Sequence, residues 1–285
     1  MIRNLSITAL IDNVSNPTNP QLLAEHGLAL WIEADNRRLL FDTGQSDKCI
    51  QNAEALGIDI CSADILVLSH GHYDHTGAVA EILKRNPAIS IYCHPGIFVP
   101  RYSRQPDGKM KQIGIAKSAL NALQGVLDKI HWITEPKFLF NDIGITGEVP
   151  RICATEDAGG DFYFDTEGKR KDVVIDDQSL WFNTTDGIVI VSGCCHSGLL
   201  NTIEHCFFAS GCRKLRGVVG GLHLVNASVE RLDETYLRLK ALSPARVIAF
   251  HCTGEKSAKY LNENLPSIVS TGAVGIKVKF EGCSV

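Results

Sequence analysis

A chain of 285 residues with 45% hydrophobic and 21% charged side chains can bury a hydrophobic core, and this composition excludes a disordered polypeptide. The net charge of −4 disfavours nucleic acid as a partner, because a polyanion needs a basic surface. The chain has no export signal and no run of about 18 apolar residues, so we expect a cytoplasmic protein with no membrane partner and with reduced cysteines.

The first half of the chain is predicted to begin with a β-hairpin and to continue as alternating strands and helices. Two apolar runs flank turn residues at 34–37, a pattern typical of a hairpin. Ser46 and Gly57 are suited to begin and end a helix before the next apolar run. The predicted strands are 28–33, 38–41, 65–68 and 89–92, and the predicted helices are 46–56 and 78–85.

Two stretches lack the periodicity of a helix or a strand, and we expect loop insertions near 100–117 and 154–172. Long loops are either lids over a site or mobile surface segments, and the sequence favours neither. The first insertion contains four cationic side chains that either face solvent or contact an anionic substrate. These are Arg101, Arg104, Lys109 and Lys111.

The second half repeats the order of the first, with a predicted hairpin around 185–187 followed by alternating helices and strands. Since each half begins with hairpin-like strands, two sheets with helices outside fit better than one doubly wound parallel sheet. We therefore predict an α/β protein of the αβ/βα sandwich class. The predicted strands are 179–183, 188–191, 215–219, 246–250 and 276–280, and the predicted helices are 199–208, 228–242 and 255–264.

The segment after the predicted strand 65–68 holds four residues of metal-ligating type, namely His70, His72, Asp74 and His75. In an extended chain His70 and His72 point to the same side and can share one metal ion. Asp74 and His75 can reach a second ion if the chain turns there. Histidine nitrogen and carboxylate oxygen suit Zn²⁺, Fe or Mn²⁺, so these residue types leave the metal open.

Further histidines follow predicted strands, and the carboxyl ends of neighbouring strands gather residues at one edge. We expect His196 and His251 to complete the metal ligands. His223 and His94 either join the site or form ordinary hydrogen bonds inside the fold. The remaining histidines, His26, His131 and His205, are expected to be packed, hydrogen-bonded side chains.

The segment His70-x-His72-x-Asp74-His75 resembles the H-x-H-x-D-H signature of the metallo-β-lactamase superfamily. Asp42, in Phe-Asp-Thr-Gly, resembles the superfamily's early aspartate, whose carboxylate supports the metal site from behind the ligands. Four longer motifs, spread over nearly the whole chain, resemble the branch named for dihydropterin-ribofuranosylaminobenzene phosphate synthase. They are Ser69-His-Gly-His-Tyr-Asp-His-Thr-Gly77, Gly193-Cys-Cys-His-Ser-Gly198, Gly220-Gly-Leu-His-Leu224 and His251-Cys-Thr-Gly254.

This resemblance implies the four-layer αβ/βα fold of the superfamily, with two mixed sheets, as a single domain over residues 1–285. It also implies two metal positions. Gly221 stands where the superfamily usually has an acid that bridges both ions, so we expect a weaker second metal and a contact of His223 with substrate or metal. The implied ligands are His70, His72 and His196 for the first ion and Asp74, His75 and His251 for the second, with Asp74 and His223 as candidate catalytic residues.

The function that follows from this resemblance is that of a metal-dependent hydrolase or related transferase. It would act on a small anionic, phosphorylated or pterin-related substrate with metal-activated water. The expected cofactor is one or two Zn²⁺ ions, with Fe or Mn²⁺ as alternatives. Two other hypotheses remain open, an iron-dependent oxidoreductase on the same ligands and a non-catalytic metal- or ligand-binding protein.

Overall fold

Two large sheets form the middle of the protein in the computed structural model, which describes residues 1–282. Their strands come from both halves of the chain. A third, smaller sheet lies apart from them. In chain order the strands are β1 (Asn4–Ile11), β2 (Ala29–Ala34), β3 (Arg37–Phe41), β4 (Ile65–Val67), β5 (Ser90–Cys93), β6 (Tyr102–Arg104), β7 (Met110–Gln112), β8 (Ile130–Trp132), β9 (Lys137–Phe140), β10 (Ile143–Ile145), β11 (Phe162–Tyr163), β12 (Ser179–Thr184), β13 (Gly187–Ser192), β14 (Leu215–Gly221), β15 (Arg246–Phe250), β16 (Val269–Thr271) and β17 (Lys277–Glu281).

The helices lie between these strands in the sequence, and all of them except the short helix Tyr73–Thr76 cover the outer faces of the large sheets. Among the described residues, no helix is both long and apolar enough to cross a membrane. The α-helices are α1 (Lys48–Ala55), α2 (Tyr73–Thr76), α3 (Val79–Arg85), α4 (Lys117–Gln124), α5 (Leu199–Ser210), α6 (Val229–Leu242) and α7 (Glu255–Asn264).

Each large sheet is mixed and has seven strands. The first has the order β17-β1-β2-β3-β4-β5-β8, and the second has the order β16-β15-β14-β13-β12-β10-β9. In both, an antiparallel hairpin is followed by parallel strands: β2 and β3 lead into β4 and β5, and β12 and β13 lead into β14 and β15. The carboxyl ends of the parallel strands are therefore brought to one edge of each sheet.

Three hydrophobic cores separate four layers. The inner faces of the two sheets pack against each other through buried side chains such as Phe41 and Phe182. The outer face of the first sheet packs on α1, α3 and α4, with Trp31 and Ile82 in that core. The outer face of the second sheet packs on α5, α6 and α7. The predicted αβ/βα sandwich with two mixed sheets and helices outside is confirmed.

Strand β1 was not predicted from the sequence, although it is eight residues long and lies between β17 and β2 in the first sheet. Its side chains enter two cores, with Ile7 and Ala9 in the inner one and Leu10 and Ile11 in the outer one. Residues 5–9 of this strand, Leu-Ser-Ile-Thr-Ala, alternate apolar and polar side chains, so the pattern typical of a strand was present in the sequence.

The two expected insertions form one structure. Strands β6 and β7 pair with each other, and β11 pairs with β6, so that Phe162 lies opposite Ser103. We call this three-stranded unit the cover sheet. Arg101, which precedes β6, is fully buried and contacts Asp172 at 2.7 Å and Asp176 at 2.8 Å. The expectation that Arg101 faces solvent or substrate is therefore wrong, because two buried carboxylates hold its guanidinium inside the fold.

Candidate metal centre

The loop after β4 extends and then turns, which brings four predicted ligands together. The amide of Gly71 donates to Asp176 Oδ2 at 2.8 Å, and His72, with extended backbone, is the N-cap residue of α2. The hydroxyl of Thr76 donates to the carbonyl of His72 at 2.9 Å and closes the helical turn. His70 and His72 thus lie on the extended part of the loop. Asp74 and His75 lie on α2, which forms the turn that the sequence analysis expected.

His70, His72 and His196 form what we call the first cluster. Their ring centroids are 4.5, 4.8 and 4.9 Å apart, and His70 Nε2 lies 2.9 Å from His72 Nδ1. All three rings are buried. The Nε2 atoms of His72 and His196 have no hydrogen-bond partner among the described residues. Buried nitrogen atoms without partners are costly, so this cluster is incomplete without a further group.

Asp74, His75 and His251 form the second cluster, which lies beside the first. Asp74 Oδ2 is 3.4 Å from His251 Nε2 and 4.0 Å from His75 Nε2. The two Nε2 atoms are 3.3 Å apart. Two unprotonated imidazole nitrogens both present a lone pair and repel each other at this distance. A proton or a metal ion is therefore needed between them.

In three of the clustered histidines, the ring nitrogen Nδ1 lies within hydrogen-bond distance of an acceptor oxygen. His75 Nδ1 lies 2.6 Å from the carboxylate of Asp42, and His196 Nδ1 lies 2.8 Å from the carbonyl of Ala158. His251 Nδ1 lies 2.8 Å from the side-chain oxygen of Asn13. Since a carbonyl or carboxylate oxygen only accepts, Nδ1 carries the proton and the Nε2 lone pair is left for the centre of the site.

Asp42 supports both clusters from the end of β3. It contacts His75 directly, and it accepts from the Ser69 hydroxyl at 2.7 Å, which in turn lies 2.8 Å from His70 Nδ1. Asp42 is fully buried and has φ of 59°. Asp42 is thus in contact with one predicted ligand and linked to a second, and its role behind a metal site stays a prediction.

The two clusters differ in their electrostatics. Burial, reinforced by the neighbouring histidines and by Arg101, lowers the pKa of His70, His72 and His196 well below its usual value. Burial also opposes a charge on His75, but the carboxylates of Asp42 and Asp74 raise its pKa to about 9. Burial lowers the pKa of His251, the other histidine of the second cluster, to about 4. The histidines of the first cluster thus favour the neutral form, whereas the second cluster combines the Asp74 carboxylate with one histidine that favours the charged form.

Strained backbone surrounds the clusters. Asp42, Cys195, His223 and His251 have φ values of 59°, 63°, 43° and 47°. Non-glycine residues with positive φ cost free energy and persist where the surrounding structure holds them in place. Four such residues next to one site indicate that the chain is held there for function.

The family model of the metallo-β-lactamase superfamily matches residues 23–196, which is more than half of the chain. This chain belongs to the metallo-β-lactamase superfamily. It is 29% identical over 98% of both chains to a Methanocaldococcus jannaschii protein named 7,8-dihydropterin-6-methyl-4-(beta-D-ribofuranosyl)-aminobenzene-5'-phosphate synthase. An uncharacterized protein of the same organism is 32% identical, with 88% of this chain and 92% of that protein covered.

Among solved structures, the chain resembles a metal-dependent hydrolase of the β-lactamase superfamily with a TM-score of 0.79 and 25% identity. The match covers 97% of this chain and 99% of the other. The superfamily and the resemblance to the synthase branch, both predicted from the sequence, are confirmed. The chain thus has the fold of the superfamily's metal-dependent hydrolases and residues that can hold metal ions.

Gly221 occupies the place where the superfamily usually has its bridging acid, and the structure explains why it is a glycine. A Cβ atom at this position would lie 2.5 Å from the carbonyl oxygen of Gly193 and 2.6 Å from Cys252 Sγ. No side chain fits without a shift of the backbone. His223, two residues on, lines the site next to His196, with ring centroids 4.2 Å apart.

Cys194 lies between the two clusters and was not singled out from the sequence. Its ligand atom is within 4.8 Å of those of His70 and His196 in one group and of His75 and His251 in another. Its spacing from His196 could not have identified it, because the intervening Cys195 has φ of 63° and the segment is not extended.

His26 is the second residue that the sequence analysis missed. It was expected to be an ordinary packed histidine, but its Nε2 lies 3.1 Å from Asp74 Oδ2 and about half of its side chain is exposed. It lies in the loop between β1 and β2, before the predicted strand 28–33 and not after a strand, so nothing in the local sequence indicates this contact.

The other histidines lie outside the two clusters. His94 Nδ1 accepts from the amide of Gly96 at 2.9 Å, and its Nε2 lies 3.0 Å from Glu148. His131 stacks on Tyr92, and His205 contacts the carbonyl of Thr146. Of the two positions left open for His94, the structure thus shows hydrogen bonds inside the fold.

A cavity of about 240 Å³ opens above the clusters. Phe162 of the cover sheet packs against the rings of His72 and His196, each 5.4 Å away. At the rim, the exposed Lys111 lies 3.3 Å from the hydroxyl of Tyr73. The cavity wall includes His26, His72, Tyr73, Asp74, Lys111, Phe162, Cys194, His196, His223 and His251.

Proposed function

We propose that this protein is a metal-dependent hydrolase or related transferase that acts on a small anionic, phosphorylated substrate. The observation that carries the proposal is the convergence of buried imidazole Nε2 atoms beneath a small cavity, while the Nδ1 atoms of His75, His196 and His251 are each held by an acceptor. Such anchoring of the outer nitrogen accompanies metal ligation by histidine.

The residues present fit divalent metal ions. The first cluster would supply three neutral nitrogens, and the second a carboxylate and two nitrogens, a donor set that suits Zn²⁺ and also Fe or Mn²⁺. When bound there, such an ion supplies a Lewis acid and a water molecule acidic enough to be a nucleophile at neutral pH.

Asp74 is better suited to hold a cation than to act as a general base. Burial opposes its ionisation, but the contacts of this carboxyl with the rings of His251 and His26 hold its pKa well below its usual value. A carboxylate with a lowered pKa accepts a proton poorly. Of the two roles open to Asp74, ligand and base, this favours the ligand.

His223 is suited to contact the substrate. It lines the cavity, and its Nδ1 has no hydrogen-bond partner among the described residues. A Cβ at Gly159 would lie 2.0 Å from His223 Nδ1, so the glycine lets the backbone pack against this ring. We assign His223 the role of orienting the substrate by a hydrogen bond.

The phosphorylated substrate is supported by the relative's name and by charge at the rim. The similar protein of Methanocaldococcus jannaschii is named for a ribofuranosyl phosphate product that also contains a dihydropterin. Lys111 is the lysine or arginine found in the described wall of this cavity, and the half-exposed His26 also lines it. A cation at the rim attracts a phosphate, while the small cavity receives the group that reacts.

The test combines elemental analysis with substrate screening of the full chain. The proposal expects Zn²⁺, Mn²⁺ or Fe in the purified protein and turnover of a phosphomonoester, phosphodiester or thioester. Turnover should disappear with a chelator and in His72→Ala, and it should persist in His131→Ala, in which a histidine outside the clusters is removed. A coloured, iron-loaded protein that consumes oxygen and cleaves no ester would show an oxidoreductase instead. Ligand binding unaffected by loss of the metal, without turnover, would show a binding protein.

A further inference from the structure

Cys194 occupies the space between the two clusters. Its Sγ lies 3.1 Å from His75 Nε2, and the side chain is buried. It takes part in three of the four groups of metal-ligating side chains found among residues 1–282, more than any other residue. In one of these groups it stands with His196, whose buried Nε2 has no hydrogen-bond partner in the described chain.

The local backbone places the Cys194 thiol in the site. Cys194 and His196 are two residues apart beyond the end of β13, and their ligand atoms lie within 4.8 Å of each other. The intervening Cys195, with φ of 63°, lies in the core on α5, 3.4 Å from the hydroxyl of Thr202. Gly193 permits this approach, because a Cβ there would lie 2.1 Å from Ser69 Oγ.

The thiol also stands close to the position of the missing acid. Strands β13 and β14 are parallel neighbours, and a Cβ built on Gly221 would lie 3.3 Å from Cys194 Cα. That Cβ would collide with Gly193 and Cys252, so an acid cannot enter the site from β14. Two thiols reach this space from the neighbouring strands, Cys194 from beyond β13 and Cys252 from beyond β15, and of these Cys194 is the one grouped with the histidines of both clusters.

We propose that Cys194 is a metal ligand, binding as the thiolate between the two clusters in place of the acid that is absent at Gly221. The proposal rests on the metal site of the proposed function and adds to it a sulfur donor. When the metal–sulfur bond forms, the thiol proton is released to solvent. A thiolate favours Zn²⁺, Fe or Co²⁺ over the oxygen-preferring Mg²⁺ and Ca²⁺.

Cobalt substitution tests this ligand without reference to activity. The full chain is stripped of metal and loaded with Co²⁺, and thiolate-to-cobalt charge transfer is measured in the near-ultraviolet. The band is expected in the unchanged protein and should be lost in Cys194→Ser. It should persist in the matched variants Cys195→Ser and Cys252→Ser. Bound metal should fall from about two ions per chain to about one in Cys194→Ser, because the ligand common to both positions is lost.

A band that survives in Cys194→Ser and disappears in Cys252→Ser would overturn the proposal in favour of Cys252. Two bound ions without any charge-transfer band would also overturn it, while leaving the proposed metal-dependent function intact. A chain that binds no metal would overturn both.

Should Cys194→Ser fail to fold, X-ray absorption of the zinc-loaded Cys252→Ser protein decides the question. A zinc–sulfur distance of about 2.3 Å is expected if Cys194 binds the ion, and a first shell of nitrogen and oxygen alone would overturn the proposal.

Discussion

The first and second clusters share one supporting carboxylate but are held in different ways. His70, His72 and His196 are almost fully buried, and Phe162 packs against the rings of His72 and His196. The second cluster contains the Asp74 carboxylate and is reached from the rim by the half-exposed His26. The first cluster therefore depends on packing of the cover sheet, whereas the second depends on charge.

The two clusters share one loop, residues 70–75, whose two parts are held by different contacts. The chain from His70 to His75 supplies both clusters, and its extended part is tied to the cover sheet by Asp176, which accepts from Gly71 and from Arg101. Its helical part is tied to Asp42. Substitutions that disturb packing should thus reduce metal binding first at the first cluster, and substitutions that remove charge should reduce it first at the second.

Arg101→Met should have the largest effect on stability. It leaves the carboxylates of Asp172 and Asp176 buried without a cation, and breaking such a buried pair costs about 3–5 kcal/mol. The free energy of unfolding, measured by denaturant titration, should fall by this amount, and the first metal should be lost before the second.

Arg104→Met is the matched control on the same strand segment. Arg104 is partly exposed and pairs with Asp161 at 3.6 Å, so we expect a change below about 1 kcal/mol. Equal losses in the two variants would mean that Arg101 does not hold the cover sheet to the metal-ligating loop.

Arg101 also shows why the cover sheet could not be predicted from the sequence. It lies in a polar, basic stretch, and local composition indicates exposure. Its burial depends on Asp172 and Asp176, more than 70 residues further along the chain. Pairing over such a separation leaves no local periodicity, whereas the helical spacing at 229–242 and the apolar run at 246–250 could be recognised locally.

The same distinction applies to the site. The four residues from His70 to His75 could be predicted because their spacing alone brings them together. His196 and His251 could be predicted from strand ends together with the family resemblance. Cys194 and His26 could not, because their positions depend on how Gly221 and Asp74 pack against them in three dimensions. Cysteine and histidine also occur as ordinary packed side chains, so such residues can be recognised as candidate ligands only when the fold is known.

His72→Ala and Asp74→Asn should separate the two clusters. Removing a ligand should lower the affinity for the affected ion by more than the roughly 10–100-fold loss that is typical when a residue supporting a ligand is replaced. We expect His72→Ala to lose the first ion and Asp74→Asn the second, each keeping the other, as measured by metal titration. If each variant loses both ions together, the clusters form one cooperative site and the distinction between them fails.

Asp42→Asn should affect both clusters but less severely. The variant keeps the shape of the side chain and removes the charge that holds His75 and, through Ser69, His70. Affinity for both ions should fall roughly 10–100-fold in a competition titration with a chelator. Asp35→Asn, at another aspartate with positive φ but on the exposed hairpin turn, should leave both affinities unchanged. A loss confined to one ion would show that Asp42 serves only that cluster.

His26→Ala should have the smallest effect and marks the limit of the second cluster. The contact of His26 with Asp74 is half exposed, and exposed charge pairs contribute at most about 1 kcal/mol, which is roughly a fivefold change. We expect kcat/KM to fall by no more than this, with metal content unchanged. His26→Gln keeps a hydrogen-bond donor near Asp74 and should recover part of the loss. If His26→Ala instead releases one ion, His26 is a ligand, and the second cluster extends to the rim of the cavity.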